Sequence, residues 1–295
     1  MKKLLLIMNP YAGQRRANRY LADVIAIFNA RGYVVTACMT AGAGDGVKLV
    51  AQHGAGMDLI VCIGGDGTFN ETITGLLQTG LDIPLGYIPA GSTNDFANSL
   101  KLPTDILKAA WAIMDGKPVA YDVGRFGERY FSYVASFGIF TRTSYSTPQN
   151  LKNALGHLAY ILEGTKELTQ MKSVHVKLET DRETVEGDYL FGAISNSTSV
   201  GGILTLNASL VDMSDGQFEV LLIREPKNAA ELAECLHCLT FQKYNCAMMT
   251  FLTCSNLKIT ADPNMAWTLD GEKEEGHETV DVENMHLAIR LMQKA

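Results

Sequence analysis

The stretch Cys62–Glu71 reads CIGGDGTFNE. It follows an apolar run and precedes residues at helical spacing, so a strand turns here into a helix. The strand is expected to end at Ile63 and the helix to begin near Phe69, with Phe69, Ile73, Leu76 and Leu77 on one face. Thr68 with Glu71 fits a capping box. The three glycines ask for another reason. A loop without side chains at a helix start exposes backbone N–H groups, where the helix dipole favours phosphate. Asp66 inside it would repel a bare phosphate, yet it suits a divalent cation lying between carboxylate and phosphates.

Three more strand ends share this build. Ile88–Ala97 reads IPAGSTNDFA, with Ser92 and Asp95 spaced as a second capping box. Asn9–Arg16 reads NPYAGQRR, and Thr40–Asp45 reads TAGAGD. The strands behind these loops are Lys3–Met8, Val34–Met39, Leu59–Ile63 and Leu85–Ile88. Ala17–Ala30, Val47–His53 and Asp105–Asp115 carry helical patterns. Strand and helix in alternation imply an α/β domain with a parallel sheet, and open sheets bind ligands at their carboxyl edge. Four phosphate-friendly loops therefore fall on one edge. Neither the P-loop pattern nor G-x-G-x-x-G occurs, so a nucleotide would be held in another manner.

The texture changes after about Val123. Arg129–Ser136, Ser173–Thr180, Val185–Ser195, Gln217–Ile223 and Leu257–Thr260 are strand-like, with Leu151–Leu168 and Ala229–Thr240 as helical exceptions. A second, mostly antiparallel β-sandwich domain is expected over residues 123–284, after a first domain over residues 1–122. The final run, Met285–Met292, is compatible with either domain.

The chain has 295 residues, 47% of them hydrophobic and 19% charged, as ordinary globular proteins do. No apolar run reaches membrane-spanning length. The six cysteines form no regular framework, which points to a reducing cytoplasm. A net charge of -7 argues against nucleic acid as partner. The charge is uneven, however. Residues 1–35 hold Lys2, Lys3, Arg15, Arg16, Arg19 and Arg31 against Asp23 alone, whereas Asp262–Glu283 holds eight acids and one lysine. A basic N-terminal surface suits phosphates or an anionic membrane, and solvated helix faces would look the same.

NP-x-A-G, GGDGTFNE, P-x-G-S-x-NDFA and a late DGE together resemble the diacylglycerol kinase catalytic family, which includes bacterial lipid kinases with sphingosine and ceramide kinases as relatives. GGDGT alone is shared with NAD kinases and phosphofructokinases; its combination with IPAGSTNDFA is more specific. The resemblance runs from Asn9 to Glu272 and implies a two-domain kinase using ATP and Mg2+. By it Asn9, Thr40, Gly64, Gly65, Asp66, Gly67, Thr68, Asn70, Glu71, Gly91 and Thr93 would hold the nucleotide, and Asp66 the metal. In TLDGEKEEG, Asp270 would be the base that receives the substrate proton, with Glu272 as alternative or partner. Taken alone, Asp-Gly is a common hairpin turn. In LVDMSDGQFEV the resemblance implies a second, structural magnesium on Asp215, flanked by Asp212 and Gln217. Many relatives carry an arginine after NDFA, where this chain has Asn98.

The implied partner is a lipid alcohol, diacylglycerol foremost, met by peripheral contact at the inner face of the membrane. A homodimer is the default for a soluble enzyme. A kinase of soluble substrates such as NAD, and a non-catalytic nucleotide-binding regulator, are the rival readings. Cys235 and Cys238 lack a second ligand pair at zinc spacing and read better as buried thiols of an amphipathic helix.

Overall fold

The computed structural model describes residues 1–138, 173–200 and 204–294. The expected helix Leu151–Leu168 lies outside the described residues. The chain forms two compact units, Met1–Val123 with His286–Ala295, and Gly124–Met285.

The first unit opens with strands β1 (Lys2–Met8), β2 (Tyr33–Met39), β3 (Leu59–Gly64) and β4 (Leu85–Pro89). They pair in parallel in the order β2-β1-β3-β4, with Leu4 opposite both Val35 and Leu59 and with Gly64 opposite Pro89. β3 is buried along its whole length and β1 from Leu4 onward, as strands covered on both faces are. Helices α1 (Leu21–Ala30), α2 (Asp45–His53), α3 (Asp66–Thr79), α4 (Asp95–Ser99) and α5 (Ile106–Asp115) supply the cover. Val24, Ile27 and Phe28 of α1 join Ala109, Ala110 and Ile113 of α5 over Leu4, Leu6, Val61 and Ile63. Ala17–Tyr20, expected at the start of α1, belongs instead to a 3-10 stretch, Ala12–Tyr20.

The final segment returns to this unit. Leu291 pairs in parallel with Leu85, and Asp122 accepts from Leu287 N–H (2.7 Å) and His286 Nδ1 (3.0 Å).

Strands continue through β5 (Lys117–Phe126), β6 (Arg129–Phe131), β7 (Val134–Gly138), β8 (Val174–Thr180), β9 (Thr184–Ser195), β10 (Ser199–Val200), β11 (Leu204–Thr205), β12 (Phe218–Arg224), β13 (Met249–Cys254), β14 (Asn256–Ala261), β15 (Trp267–Leu269), β16 (Glu272–Glu274) and β17 (Thr279–Gln293). In the second unit the described strand pairings are antiparallel. β9 serves as the hub, bonding to β7, β8 and β12. Its core alternates inward residues from many strands, among them Phe131, Val176, Ile194, Val220 and Leu257. Trp267 sits between the rings of Phe126 and Phe137, both centroids 4.9 Å away.

Candidate active site

β3 delivers Cys62–Gly64 into the glycine loop, and α3 begins at once at Asp66 rather than near Phe69. The cap of α3 is Gly65, so Thr68 and Glu71 do not form the expected capping box. Thr68 Oγ1 accepts instead from Asn9 Nδ2 (3.3 Å), which ties the end of β1 to α3. Glu71 reaches the loop after β2: Oε1 accepts from Gly44 N–H (2.6 Å) and Oε2 from Gly46 N–H (2.8 Å). Both carboxylate oxygens thereby hold the TAGAGD loop in place. Thr40, 7% exposed, donates its N–H to Met8 O in the same neighbourhood.

Asp66 is 7% exposed and points across to the loop after β4. Its Oδ2 accepts from Asp95 N–H (3.0 Å) and Thr93 Oγ1 (3.4 Å), and Oδ1 from Phe96 N–H (3.3 Å). A carboxylate from one loop thus caps the helix that opens the next, where dipole and unsatisfied N–H groups favour negative charge. Ser92 makes no capping box with Asp95. The N-cap is Asn94, left-handed at φ 53, whose side chain takes the Gly91 N–H (2.8 Å) and returns a bond to Gly91 O (3.0 Å). Asn98 Nδ2 fastens the Thr93 carbonyl at 2.7 Å, so the residue standing in place of an arginine holds the loop.

The glycines have a packing reason as well. A Cβ on Gly91 would lie 2.6 Å from Gly65 Cα, and one on Gly64 would lie 2.6 Å from Thr68 Cβ. Gly13, at φ +50, presses on Ala90 so closely that a Cβ would come within 2.1 Å of its carbonyl oxygen. Three strand-end loops therefore meet backbone to backbone. Asn9, Gly64, Gly65, Asp66, Thr68, Gly91 and Thr93 come together, with Gly67 in the first turn of α3. Asn70 lies one turn along and accepts from Thr74 Oγ1 (3.4 Å). Amide, hydroxyl and backbone donors beside the buried carboxylates Asp66 and Asp95 suit phosphate oxygens and a hard cation. Behind them Tyr87 is 2% exposed, and burial with nearby Asp66 pushes its hydroxyl well above the usual range.

In the second unit Asp270 occupies the turn between β15 and β16 at φ 50, and Gly271 follows at φ +82. Its carboxylate, 6% exposed, sits in a nest made by the start of β7. Oδ1 accepts from the N–H groups of Tyr133 (2.9 Å) and Val134 (3.0 Å), and Oδ2 from Ser132 N–H and from Ser132 Oγ (2.8 Å). Burial pushes the carboxyl above the ordinary carboxylate range, and these donors pull it back only in part. Glu272 differs: its side chain is 57% exposed and faces Arg129 at 3.5 Å. Nothing in the sequence pattern marks Ser132, 138 positions before Asp270.

The loop Leu210–Gln217 is folded by its own side chains. Asp212 Oδ1 accepts from Ser214 N–H (3.0 Å) and Oγ (2.7 Å), Asp215 Oδ1 accepts from Gln217 N–H (2.9 Å), and Asn284 Nδ2 donates to Gln217 O (3.0 Å). Two buried acceptors nearby, Glu219 Oε2 and Asn284 Oδ1, have no hydrogen-bond donor among the described residues. Burial, with Asp215 adding to it, pushes the Glu219 carboxyl up to about 8. Unpartnered oxygens among carboxylates suit a hard cation. Among the described residues no three His, Cys, Asp or Glu side chains converge as a metal cluster, so an ion here would lean on amide and main-chain oxygens.

Among the described residues no helix is long and apolar enough to cross a membrane. Residues 3–126 match the model of the diacylglycerol kinase catalytic domain, and residues 134–293 match that of the YegS C-terminal NAD kinase beta sandwich-like domain. A diacylglycerol kinase of Bacillus subtilis (strain 168) is 32% identical over 274 residues, covering 92% of this chain and 90% of the relative. One of Staphylococcus aureus (strain MRSA252) is 34% identical over 233 residues, covering 78% and 73%. A crystal structure of a diacylglycerol kinase from Bacillus anthracis str. Sterne superposes with a TM-score of 0.79 over 99% of this chain and 97% of that one, at 22% identity.

Proposed function

Because the chain belongs to the diacylglycerol kinase family, and so to the lipid kinases, we propose that it transfers the γ-phosphoryl group of ATP to the free hydroxyl of diacylglycerol. The observation that carries this reading is the meeting of three motif loops on one sheet edge, fastened by Asp66, Thr68 and Asn94. ATP supplies the phosphoryl group, and magnesium offsets the charge of its phosphates. Backbone amides of Gly65–Thr68, with Asn9 and Thr93, hold and orient those phosphates, and Asp66 takes the metal. Glu71 and Thr40 act through the loop they steady. The substrate oxygen attacks the γ-phosphorus, the bond to the β-phosphate oxygen breaks, and Asp270 receives the hydroxyl proton. Burial shifts its protonation upward, the direction that makes a carboxylate a better proton acceptor. Asp215, with Asp212, Gln217 and Glu219 around it, would seat a structural magnesium.

Membrane contact would be peripheral, on the cytoplasmic face, through basic groups such as the exposed Lys2, Lys3 and Arg19, and would weaken as salt screens them. The test is transfer from γ-labelled ATP to lipids in mixed micelles, with diacylglycerol, sphingosine and the soluble acceptor NAD side by side. Labelled phosphatidic acid, lost in Asp66→Ala and Asp270→Asn, is the expected result. Label on NAD alone would overturn it.

A further inference from the structure

Tyr87 stands on β4 opposite Cys62 of β3, in the layer between the sheet and α3. Its ring lies flat against Phe69 of α3, centroids 4.2 Å apart and planes 10° apart. Phe69 in turn meets the ring of Phe96, at the start of α4, at 5.1 Å. That stack explains an aromatic side chain at position 87. It does not explain the hydroxyl. Tyr87 is 2% exposed, and among the described residues its oxygen completes no hydrogen bond, although it stands at the edge of reach of the Asp66 carboxylate. Phenylalanine would fill the same stack without burying an unpartnered O–H, which is costly. Burial, with Asp66 nearby, keeps the hydroxyl protonated, so toward a carboxylate it is a donor.

We infer that Tyr87 is a positioning residue for Asp66: its hydroxyl donates to the Asp66 carboxylate when that carboxylate holds magnesium. The inference rests on Asp66 being the metal-holding group of the proposed function. In the structure Asp66 leans toward α4, where Oδ2 accepts from Asp95 N–H and Thr93 Oγ1, and Oδ1 from Phe96 N–H. The bonds from Phe96 (3.3 Å) and Thr93 (3.4 Å) are long for donors to a charged group, so a small turn of the carboxylate gives up little there. A turn that shortens the approach to Tyr87 converts an unpartnered O–H into a charge-assisted hydrogen bond. The carboxylate is then fixed from the sheet side as well as from α4. Stabilisation gained only in that state favours it, so the hydroxyl strengthens metal binding while adding nothing to the resting fold. No covalent bond changes, and no proton changes owner.

The experiment is calorimetric binding of a non-hydrolysable ATP analogue to the full chain, with excess magnesium and again with a chelator. It compares wild type, Tyr87→Phe, Asp66→Asn and the double variant, with the melting temperature of each measured without metal or nucleotide. In Tyr87→Phe the analogue should bind about tenfold more weakly with magnesium and as in wild type without it, while the melting temperature holds or rises. In the Asp66→Asn background, Tyr87→Phe should change neither affinity by more than about twofold, because the carboxylate it serves is gone. A Tyr87→Phe that binds the magnesium-loaded analogue like wild type would overturn the role of Tyr87 alone. So would equal weakening with and without magnesium beside a lower melting temperature, the mark of a packing residue. Asp66→Asn with wild-type magnesium-dependent binding would remove Asp66 as metal holder, and this inference with it. A wild type that binds the analogue in neither condition would overturn the proposed function itself.

Discussion

Asp66 caps α4 from another loop, and in the proposed function the same carboxylate would take the metal. Replacing it with alanine leaves the Asp95 and Phe96 N–H groups without an acceptor in a buried place. The expected outcome is a loss of about 2 kcal/mol in urea unfolding, in addition to lost transfer. A variant that is inactive yet fully stable would show that the cap is dispensable. Glu71 makes a different case. Its glutamine variant keeps one carboxyl-type oxygen for two amides, so the loop at Gly44 and Gly46 loosens. KM for ATP should rise about tenfold with kcat within twofold of wild type. An unchanged KM would separate Glu71 from the nucleotide altogether. That the motif loops gather at one edge of a parallel sheet was legible in the sequence, because each follows a short apolar run and opens onto a helix. Their partners were not. Thr68 and Glu71, like Ser92 and Asp95, have the spacing of local capping boxes, whereas the folded chain joins Asp66 to Asp95 and Thr68 to Asn9 over long sequence separations.

Between α2 and α3 the approach is set by Gly75. A Cβ there would lie 2.8 Å from Val50 Cβ and 3.0 Å from Val47 O. Gly75→Ala would push the helices apart and is expected to cost about 1–3 kcal/mol, despite alanine's better helix propensity. A thermal melt reads the sign directly, since a gain in stability would refute the tight contact. On the β8–β9 hairpin, His175 bridges Asp188 Oδ1 (2.9 Å) and Glu186 Oε1 (3.2 Å). Those two carboxylates raise its imidazolium above the ordinary histidine range. The charged bridge is complete below about 6.5 and is lost as pH rises through the raised value, so the hairpin is held better on the acidic side. An NMR titration of the ring protons should place the midpoint above that of free histidine, and Asp188→Asn should bring it down. β1, β3 and β4 were readable as apolar runs because both their faces are covered, whereas β2, at the sheet edge with no buried residue, was readable from its β-branched residues alone. β5, with Pro118 and Gly124 inside it, and the three-residue β15 and β16 carry too little pattern to be read without their neighbours.

At the scale of the whole chain, the β-rich character of the second part was legible in its short alternating strands, while the home of the last residues was not. Met285–Met292 has no period that favours either unit. Tertiary contacts decide it: Ile289 and Leu291 are 2% and 0% exposed, Arg290 bonds Asp82 at 2.7 Å, and Gly116 leaves room for Gln293 and nothing larger than a hydrogen. Deleting residues 286–294 should cost the first unit roughly 4 kcal/mol, taking about 2 for each buried aliphatic side chain. The chain's two tryptophans report separately, since Trp111 is 42% exposed in the first unit and Trp267 is 1% exposed in the second. In urea, the Trp111 signal of the shortened chain should change well before that of Trp267; coincident transitions would contradict the ledger of contacts. The same discontinuity governs how the protein is born. A ribosome delivers the first 123 residues early, yet the segment that pairs beside β4 in their sheet emerges only after all of Gly124–Met285. During synthesis the nucleotide-loop half waits as an unfinished nascent chain until that segment is out, while the inserted half can already mature.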